Sequence, residues 1–443
     1  MKTIEQITRD SEAAIRGRML KELMSLPLDK KETRTKATIK EFTDILGTDN
    51  CFVSISGGKD SRVLKDVVEA ACGKMKMIMF NTGLEYLETI RYVKSLGAIV
   101  IPPTISWVES CEAKGYPVVS KNISEKIKRI GSTPISTAIA MFNSTYGIAS
   151  KWLHFTSDEF VDFPISGNCC EDFKKAPSRR INMNPIIGTR IEESSDRRSA
   201  WKRSGCNSYS ADGKHGKSRP LSIWKSVDID QFIKREKIEL SRIYTQYEQK
   251  RTGCKICPYG AQMDGSRFDL LNELEPASYK HFIYDTKLGY ILMLMNVNII
   301  SDQKYMIEKE EVQKRVKQWH KRNKGTDKYL KYKIKLCLKY FAKDQMVKAI
   351  EHLRDHTTTK FTNGNDPEAI IQAFKEAKEE TGMKVMITYK GISENGKEKV
   401  RQVERMMADN ATEEDIVEAA RTDARASKLK IVMSSIAIET PLW

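Results

Sequence analysis

No stretch of this 443-residue sequence is apolar for long enough to span a bilayer: the longest greasy run, around Leu288 to Ile300, is short and carries Asn296 and Asn298. The opening Met1-Lys2-Thr3-Ile4-Glu5 lacks the apolar centre of a secretory signal. Low-complexity tracts and clear internal repeats are missing too. These absences lead to the expectation of a soluble, cytoplasmic protein with no membrane partner. An even disulfide framework is also lacking. The cysteines number nine, and four of them fall into a tight pattern, which favours metal or redox chemistry. What the chain does have is an apolar share of 40%, enough for ordinary cores, and a length suited to two or three domains. Its net charge of +16 calls for anionic partners. From Ser301 to Ile350 there are 15 Lys/Arg against 6 Asp/Glu. Nucleic-acid binding through 301–350 and a solvated helical face are the two readings of that surplus, and no aromatic stacking motif decides between them.

The chain is organised around Ser56-Gly57-Gly58-Lys59-Asp60-Ser61. Cys51-Phe52-Val53-Ser54-Ile55 before it reads as a buried strand, and Val63, Leu64, Val67, Val68 and Ala71 after it give one face of a helix that stops at Gly73. At such a strand-to-helix turn, glycines let the backbone approach a ligand and the helix N-terminus offers free N–H groups and a positive dipole. Lys59 adds a cation, and Ser56 and Ser61 add hydroxyls. The chemistry suits phosphate or pyrophosphate. It is not the Walker loop, because only one residue separates Gly57 from Lys59.

Residues 3–48 read as a helical lead-in broken at Pro27. Strands at Met75 to Phe80 and Ala98 to Ile101, with a helix between them, extend the pattern to a parallel α/β unit. Ligands of such sheets bind at the carboxyl ends of the strands. Both the 56–61 loop and Asn81-Thr82-Gly83 fall there.

Ser-Gly-Gly-Lys-Asp-Ser resembles the pyrophosphate loop of the adenine nucleotide alpha-hydrolase-like enzymes, which include ATP pyrophosphatases, tRNA thiolases and the phosphoadenosine phosphosulfate (PAPS) reductase family. Asn81-Thr82-Gly83-Leu84-Glu85-Tyr86-Leu87-Glu88-Thr89 is similar to the Asp-Thr-Gly-Leu-Glu-x-Pro-Glu-Thr segment of PAPS reductase-like proteins, with departures at Asn81 and Leu87. The run from Gly188 through Arg190, Glu193 and Ser194 to Arg197 resembles that family's Gly-x-x-x-x-Glu-Ser-x-x-Arg segment. Pro220-Leu221-Ser222-Ile223-Trp224, followed by Asp228 to Ile233, resembles its Pro-Leu-x-x-Trp helix entry. The likeness covers about Asn50 to Leu292. It implies an α/β fold with a parallel sheet flanked by helices. It also implies that Ser56, Gly57, Gly58, Lys59, Asp60 and Ser61 cradle a phosphate–sulfate or triphosphate group, that Thr82 and Gly83 line an adenosine pocket, and that Arg190 and Arg197 grip anionic oxygens, where a guanidinium fork suits the geometry. Magnesium would accompany ATP.

Cys169-Cys170 and Cys254-x-x-Cys257 are a pair of pairs that offers four soft ligands. Zinc and iron–sulfur clusters both accept such a set, and buried unligated thiols are the third reading. The Cys-Cys…Cys-x-x-Cys order resembles the cluster motif of adenylyl-sulfate (APS) reductases, which implies a 4Fe–4S cluster with zinc as runner-up. Assimilatory reductases of the family carry a catalytic cysteine in a terminal tail, whereas no cysteine follows Cys337 here. Reduction would then need another thiol, either Cys206 in its polar loop or a thiol or sulfur-donor protein. Lys59, Asp60, Arg190, Arg197 and Cys206 are thus the catalytic candidates.

The remaining organisation reads as a lead-in over 1–48, the nucleotide domain over 49–300, a basic helical region over 301–360 and a small α+β module over 361–443. That module is expected to hold a strand at Lys384 to Tyr389, helices over 397–407 and 412–425, and a last strand at Lys430 to Ile438. His352 and His356 share a helix face but lack the Glu of a zinc-protease motif. Three functions suit the sequence: a PAPS reductase-like enzyme working on APS or PAPS, an ATP pyrophosphatase that adenylates and thiolates a nucleic acid, and a non-catalytic nucleotide-bound regulator.

Overall fold

A computed structural model of the chain describes residues 4–439 apart from 144, 146, 250, 251, 357–359, 362–365, 378–382, 394–397, 408–417, 419–428 and 432–436. The chain divides into two compact units, Met1–Glu125 with Asp158–Val316, and Lys126–Ser157 with Lys317–Trp443. Among the described residues no helix is long and apolar enough to cross a membrane.

The first unit is α/β. Its sheet contains β1 (Cys51–Ser54), β2 (Met77–Phe80), β3 (Ile99–Ile101), β4 (Asn184–Ile187), β5 (Asn207–Tyr209) and β6 (Gly216–Ser218) in the order β3-β2-β1-β4-β6-β5. All neighbours pair in parallel except β5 and β6. The chain therefore travels outward from β1 to β3 and returns on the other side of β1 as β4. The crevice at the carboxyl ends of β1 and β4 is the switch point where open α/β sheets take ligands.

Helices cover both faces of the sheet, so Cys51, Phe52 and Val53 of β1 are all buried. Cys51 and Val53 join Ile39, Phe42, Val63, Leu64, Val67, Leu221, Trp224 and Phe232 in one core, while Ile55, Met79 and Val93 form a separate buried cluster. Each aliphatic chain fully buried this way stabilises by about 1.5–3 kcal/mol. The lead-in forms helices Ile4–Ser25 and Leu28–Leu46, broken at Pro27 as the sequence predicts. The second docks through a buried ion pair, Lys31 Nζ to Asp228 Oδ2 at 2.6 Å, and Thr35 Oγ1 accepts from the Trp224 indole at 2.9 Å. The Pro220 to Asp228 motif thus does structural work, since Asp228 also accepts from Lys225 N at 2.6 Å to start the Ser226–Arg235 helix.

The second unit packs helices Pro134–Phe142, Thr326–Leu338, Lys343–His356 and Pro367–Glu376 around Phe142, Cys337, Ile350 and Phe374. Its strands are β7 (Met383–Ser393), β8 (Glu398–Met407), β9 (Leu429–Ile431) and β10 (Ala437–Glu439); β7 pairs antiparallel with each of the other three. The helix expected over 397–407 is instead β8. Val400, Val403 and Met406 recur at helical spacing, but ten-residue pairing with β7, from Met383↔Met407 to Ile392↔Glu398, overrides that local period. The helix expected over 412–425 lies, apart from Glu418, outside the described residues. His352 and His356 stack at 4.4 Å between ring centroids.

Candidate nucleotide and thiol site

The 56–61 loop leaves the end of β1 and enters helix Lys59–Cys72. Ser61 holds it together: its hydroxyl accepts from Ser56 N at 3.2 Å and donates to Gly58 O at 2.9 Å. Gly57 has φ +76°, and a Cβ there would lie 2.5 Å from Thr89 Cγ2. Only glycine meets both the left-handed backbone and that close approach. Gly188, after β4, is needed for space alone, since a Cβ would meet the Asp60 carbonyl at 3.0 Å. It lets the β4 end close on the helix N-terminus.

Every charged group of the loop has a partner. Lys59 Nζ pairs with Asp230 at 3.1 Å and lies 5.5 Å from the centre of the Tyr244 ring. Asp60 pairs with Arg190 Nε at 3.0 Å, and Arg190 Nη1 donates to Glu192 at 2.8 Å and to Ser226 Oγ at 3.1 Å. Burial raises the Asp60 pKa and outweighs the opposing pull of Arg190 and Arg197. Arg197 pairs with Glu193, and burial lowers its pKa against the attraction of Asp60. Arg190 and Arg197 therefore do converge on the loop. An incoming anion would compete with carboxylates for both arginines and for Lys59.

Tyr244, Thr252 and Asp230 are the residues sequence reading missed. The Tyr244 hydroxyl accepts from Lys59 N at 3.3 Å and from Thr252 N at 3.1 Å. It takes up a helix-start N–H that a phosphate oxygen would otherwise use. No motif announces it, because Tyr244 is 185 positions from Lys59.

The second loop turns toward the cysteines. Thr82, 2% exposed, gives its hydroxyl to Glu85 at 2.8 Å and stands 3.9 Å from Cys254 Sγ. Gly83, at φ +75°, donates its N–H to Asn81 Oδ1 at 2.8 Å. Lys255 N donates to Leu84 O at 2.7 Å, which ties the Cys-x-x-Cys turn to this loop.

Cys169 and Cys170 open a helical segment whose next turn, Glu171–Lys175, is a π-helix, a rare local form frequent at functional sites. The four paired cysteines lie in one another's electrostatic field. Burial raises the Cys169 thiol, reinforced by Cys254, Cys170 and Cys257. Burial raises Cys254 to about 11 against the pull of Lys174, and burial likewise raises Cys257, against the Tyr259 backbone N–H and Arg267. Lys174 is held protonated by Cys254 first, and also by Cys170, Cys257 and Glu85. Lys174 and Arg267 would offset the charge of thiolates. Cys111, buried at 1% exposure, is a fifth thiol beside Cys169 that sequence spacing gave no reason to include. Among the described residues, no three His, Cys, Asp or Glu side chains stand in a metal-holding arrangement. The donor types, though not their spacing in this structure, suit a thiolate-bound centre: four soft sulfurs come from two segments, with two cations beside them.

Cys206 is largely buried, with the Trp201 indole, Ser222, Arg34 and Arg219 around it. Its sulfur accepts from the Trp201 indole at 3.3 Å and packs against the core of the first unit, and burial raises its pKa. That environment disfavours the thiolate a nucleophile needs.

Comparison with known protein families and with characterised proteins gives no match. Among solved structures, phosphoadenylyl-sulfate (PAPS) reductase from Candida auris, in its phosphate complex, is similar over 57% of this chain and 96% of the reductase, at 13% identity and a TM-score of 0.30.

Proposed function

We propose that the protein is an enzyme that binds an adenine nucleotide at the 56–61 loop and works with the thiols beside it in sulfur transfer or sulfonucleotide reduction. One observation carries this reading: the segment around Cys254-x-x-Cys257 is tied directly to the second loop, through Lys255 N to Leu84 O, and indirectly to the 56–61 loop, through the Tyr244 hydroxyl that accepts from both Thr252 N and Lys59 N. The resemblance of the loop and arginine segments to PAPS reductase-like proteins supports the same choice.

In this reading the loop N–H groups and Lys59 take the anionic oxygens of APS, PAPS or ATP, with magnesium accompanying ATP, and Asp230 gives up its lysine. Arg190 leaves Glu192 and Arg197 leaves Glu193 for the ligand, while Asp60 keeps the Arg190 guanidinium at the mouth of the loop. Cys169, Cys170, Cys254 and Cys257 would hold the metal centre. A 4Fe–4S cluster held there would supply a charged, redox-capable neighbour to the nucleotide, whereas zinc would supply structure only. The attacking or donating thiol comes from a separate sulfur-donor protein.

The test is calorimetric titration of anaerobically purified protein with APS, PAPS and Mg–ATP, with iron, sulfide and zinc assayed on the same sample. At least one nucleotide should bind. Lys59→Ala should weaken it by about 10-fold or more, the worth of a charge-assisted hydrogen bond, with folding unchanged because Lys59 is part-exposed. Equal affinity in the variant would remove the loop assignment. Binding without turnover of any of the three would leave a regulator instead of an enzyme, and absence of iron, sulfide and zinc would strike out the metal centre.

A further inference from the structure

The second unit carries a surface that the nucleotide site does not use. From Lys317 to Lys343 the sequence holds ten Lys/Arg and a single acid, Asp327. Within it, Lys317, Lys321, Lys324, Lys328, Lys331, Lys335 and Lys339 recur every three or four residues and are exposed. That spacing keeps them on one side of each helix. The last turns of helix Gln303–Asn323 and helix Thr326–Leu338 face each other through an aromatic seam. The Trp319 and Tyr332 rings lie 5.1 Å apart, and His320 Nδ1 and Tyr329 OH lie 2.9 Å apart. The lysines are left on the outer sides.

Several helix cations of the first unit are neutralised. Lys36 pairs with Glu32, Arg62 with Asp66, and Lys65 with Glu69, each at i,i+4 spacing. Lys317, Lys321, Lys324, Lys328, Lys331 and Lys335 have no ion pair among the described residues. Like charges three or four apart weaken a helix. An arrangement that repels itself this way is relieved by a polyanion laid along it.

We infer that this lysine row is a binding surface for the phosphate backbone of a nucleic acid. Three or four residues advance the helix by about 4.5–6 Å, so successive ammonium groups can meet separate phosphates of one strand. A lipid surface is the poorer fit. An interfacial helix needs several large apolar side chains to insert, and among the described residues from Lys317 to Tyr340 only Tyr340 is exposed. The inference does not depend on the nucleotide site.

The experiment is fluorescence anisotropy of the full chain with labelled single-stranded RNA and DNA of about 30 nucleotides, titrated at several salt concentrations from roughly 50 to 200 mM. Binding should weaken with salt. The triple variant Lys328→Gln/Lys331→Gln/Lys335→Gln should reduce the log–log slope by about 2, from about 0.7 per phosphate contact on a single strand. A control triple, Lys30→Gln/Lys40→Gln/Lys74→Gln, removes the same charge from exposed sites in the first unit and should leave the slope near wild type. Circular dichroism checks that both variants fold, and if the first does not, single Lys→Gln changes each read as about 0.7 in slope. No binding at low salt, an equal slope change in the control, equal binding to poly-glutamate, or stronger binding to phosphatidylserine vesicles would each overturn the inference.

Discussion

Gly57→Ala tests whether the loop geometry rests on one missing methyl group. At φ +76° an alanine pays about 1–2 kcal/mol for the left-handed backbone. Its Cβ would also lie 2.5 Å from Thr89 Cγ2 and 3.2 Å from Val93 Cγ2. Thr89 is 2% exposed and Val93 0%, so neither can swing into solvent, and helix Leu87–Ser95 must shift. Overpacking of that kind costs about 1–3 kcal/mol. The expected loss is therefore about 2–5 kcal/mol of unfolding free energy, read by urea denaturation with the slope held in common. The two causes separate in a double-mutant cycle. Thr89→Ala removes the clashing methyl, so Gly57→Ala made in that background should cost only the backbone share, about 1–2 kcal/mol. Nucleotide affinity should fall in the single variant and recover in part in the double. A Gly57→Ala protein within about 0.5 kcal/mol of wild type, or a Thr89→Ala background that brings no relief, would refute the reasoning.

Asp228→Ala should destabilise by about 3–5 kcal/mol, because it leaves Lys31 buried without its counter-ion; Lys31→Met/Asp228→Asn, which removes the charge and keeps an acceptor for Lys225 N, should recover most of that in chemical denaturation. Lys333 is 1% exposed, and burial, partly opposed by Cys337, lowers its pKa from 10.5 to about 8. The unfolded chain then binds more protons than the folded one between those values, so stability should rise as pH climbs from about 8 to 10.5, by roughly 3 kcal/mol in all. Lys333→Met should be more stable at pH 7 and flat across that window; an unchanged pH profile in the variant would show that another group is responsible.

Local pattern carried the sequence reading well where one element decides its own shape. The break at Pro27 and the strand–loop–helix at Cys51 to Cys72 are both in the structure. Where pairing between distant segments decides, local pattern failed. Residues 398–407 have helical spacing but form a strand because β7 supplies a partner. The candidate site divides the same way. The glycines, Lys59 and the two cysteine pairs are visible as residue types at short spacing, whereas Tyr244, Asp230, Lys174 and Cys111 carry no local signal.

The sequence by itself determined the elements and the chemical groups available: a parallel α/β unit, an anion loop, four paired thiols and a lysine-rich helical stretch. Hydrophobic period and turn chemistry are properties of neighbouring residues, so they survive without the fold. Only the tertiary structure decided which groups meet. It sets Asp230 on Lys59, Asp60 on Arg190, the Tyr244 hydroxyl on the helix start and the Cys254 turn on Thr82. Hydrogen bonds and ion pairs act over a few ångströms, and partners more than a hundred positions apart come within that reach only when the sheet closes them together.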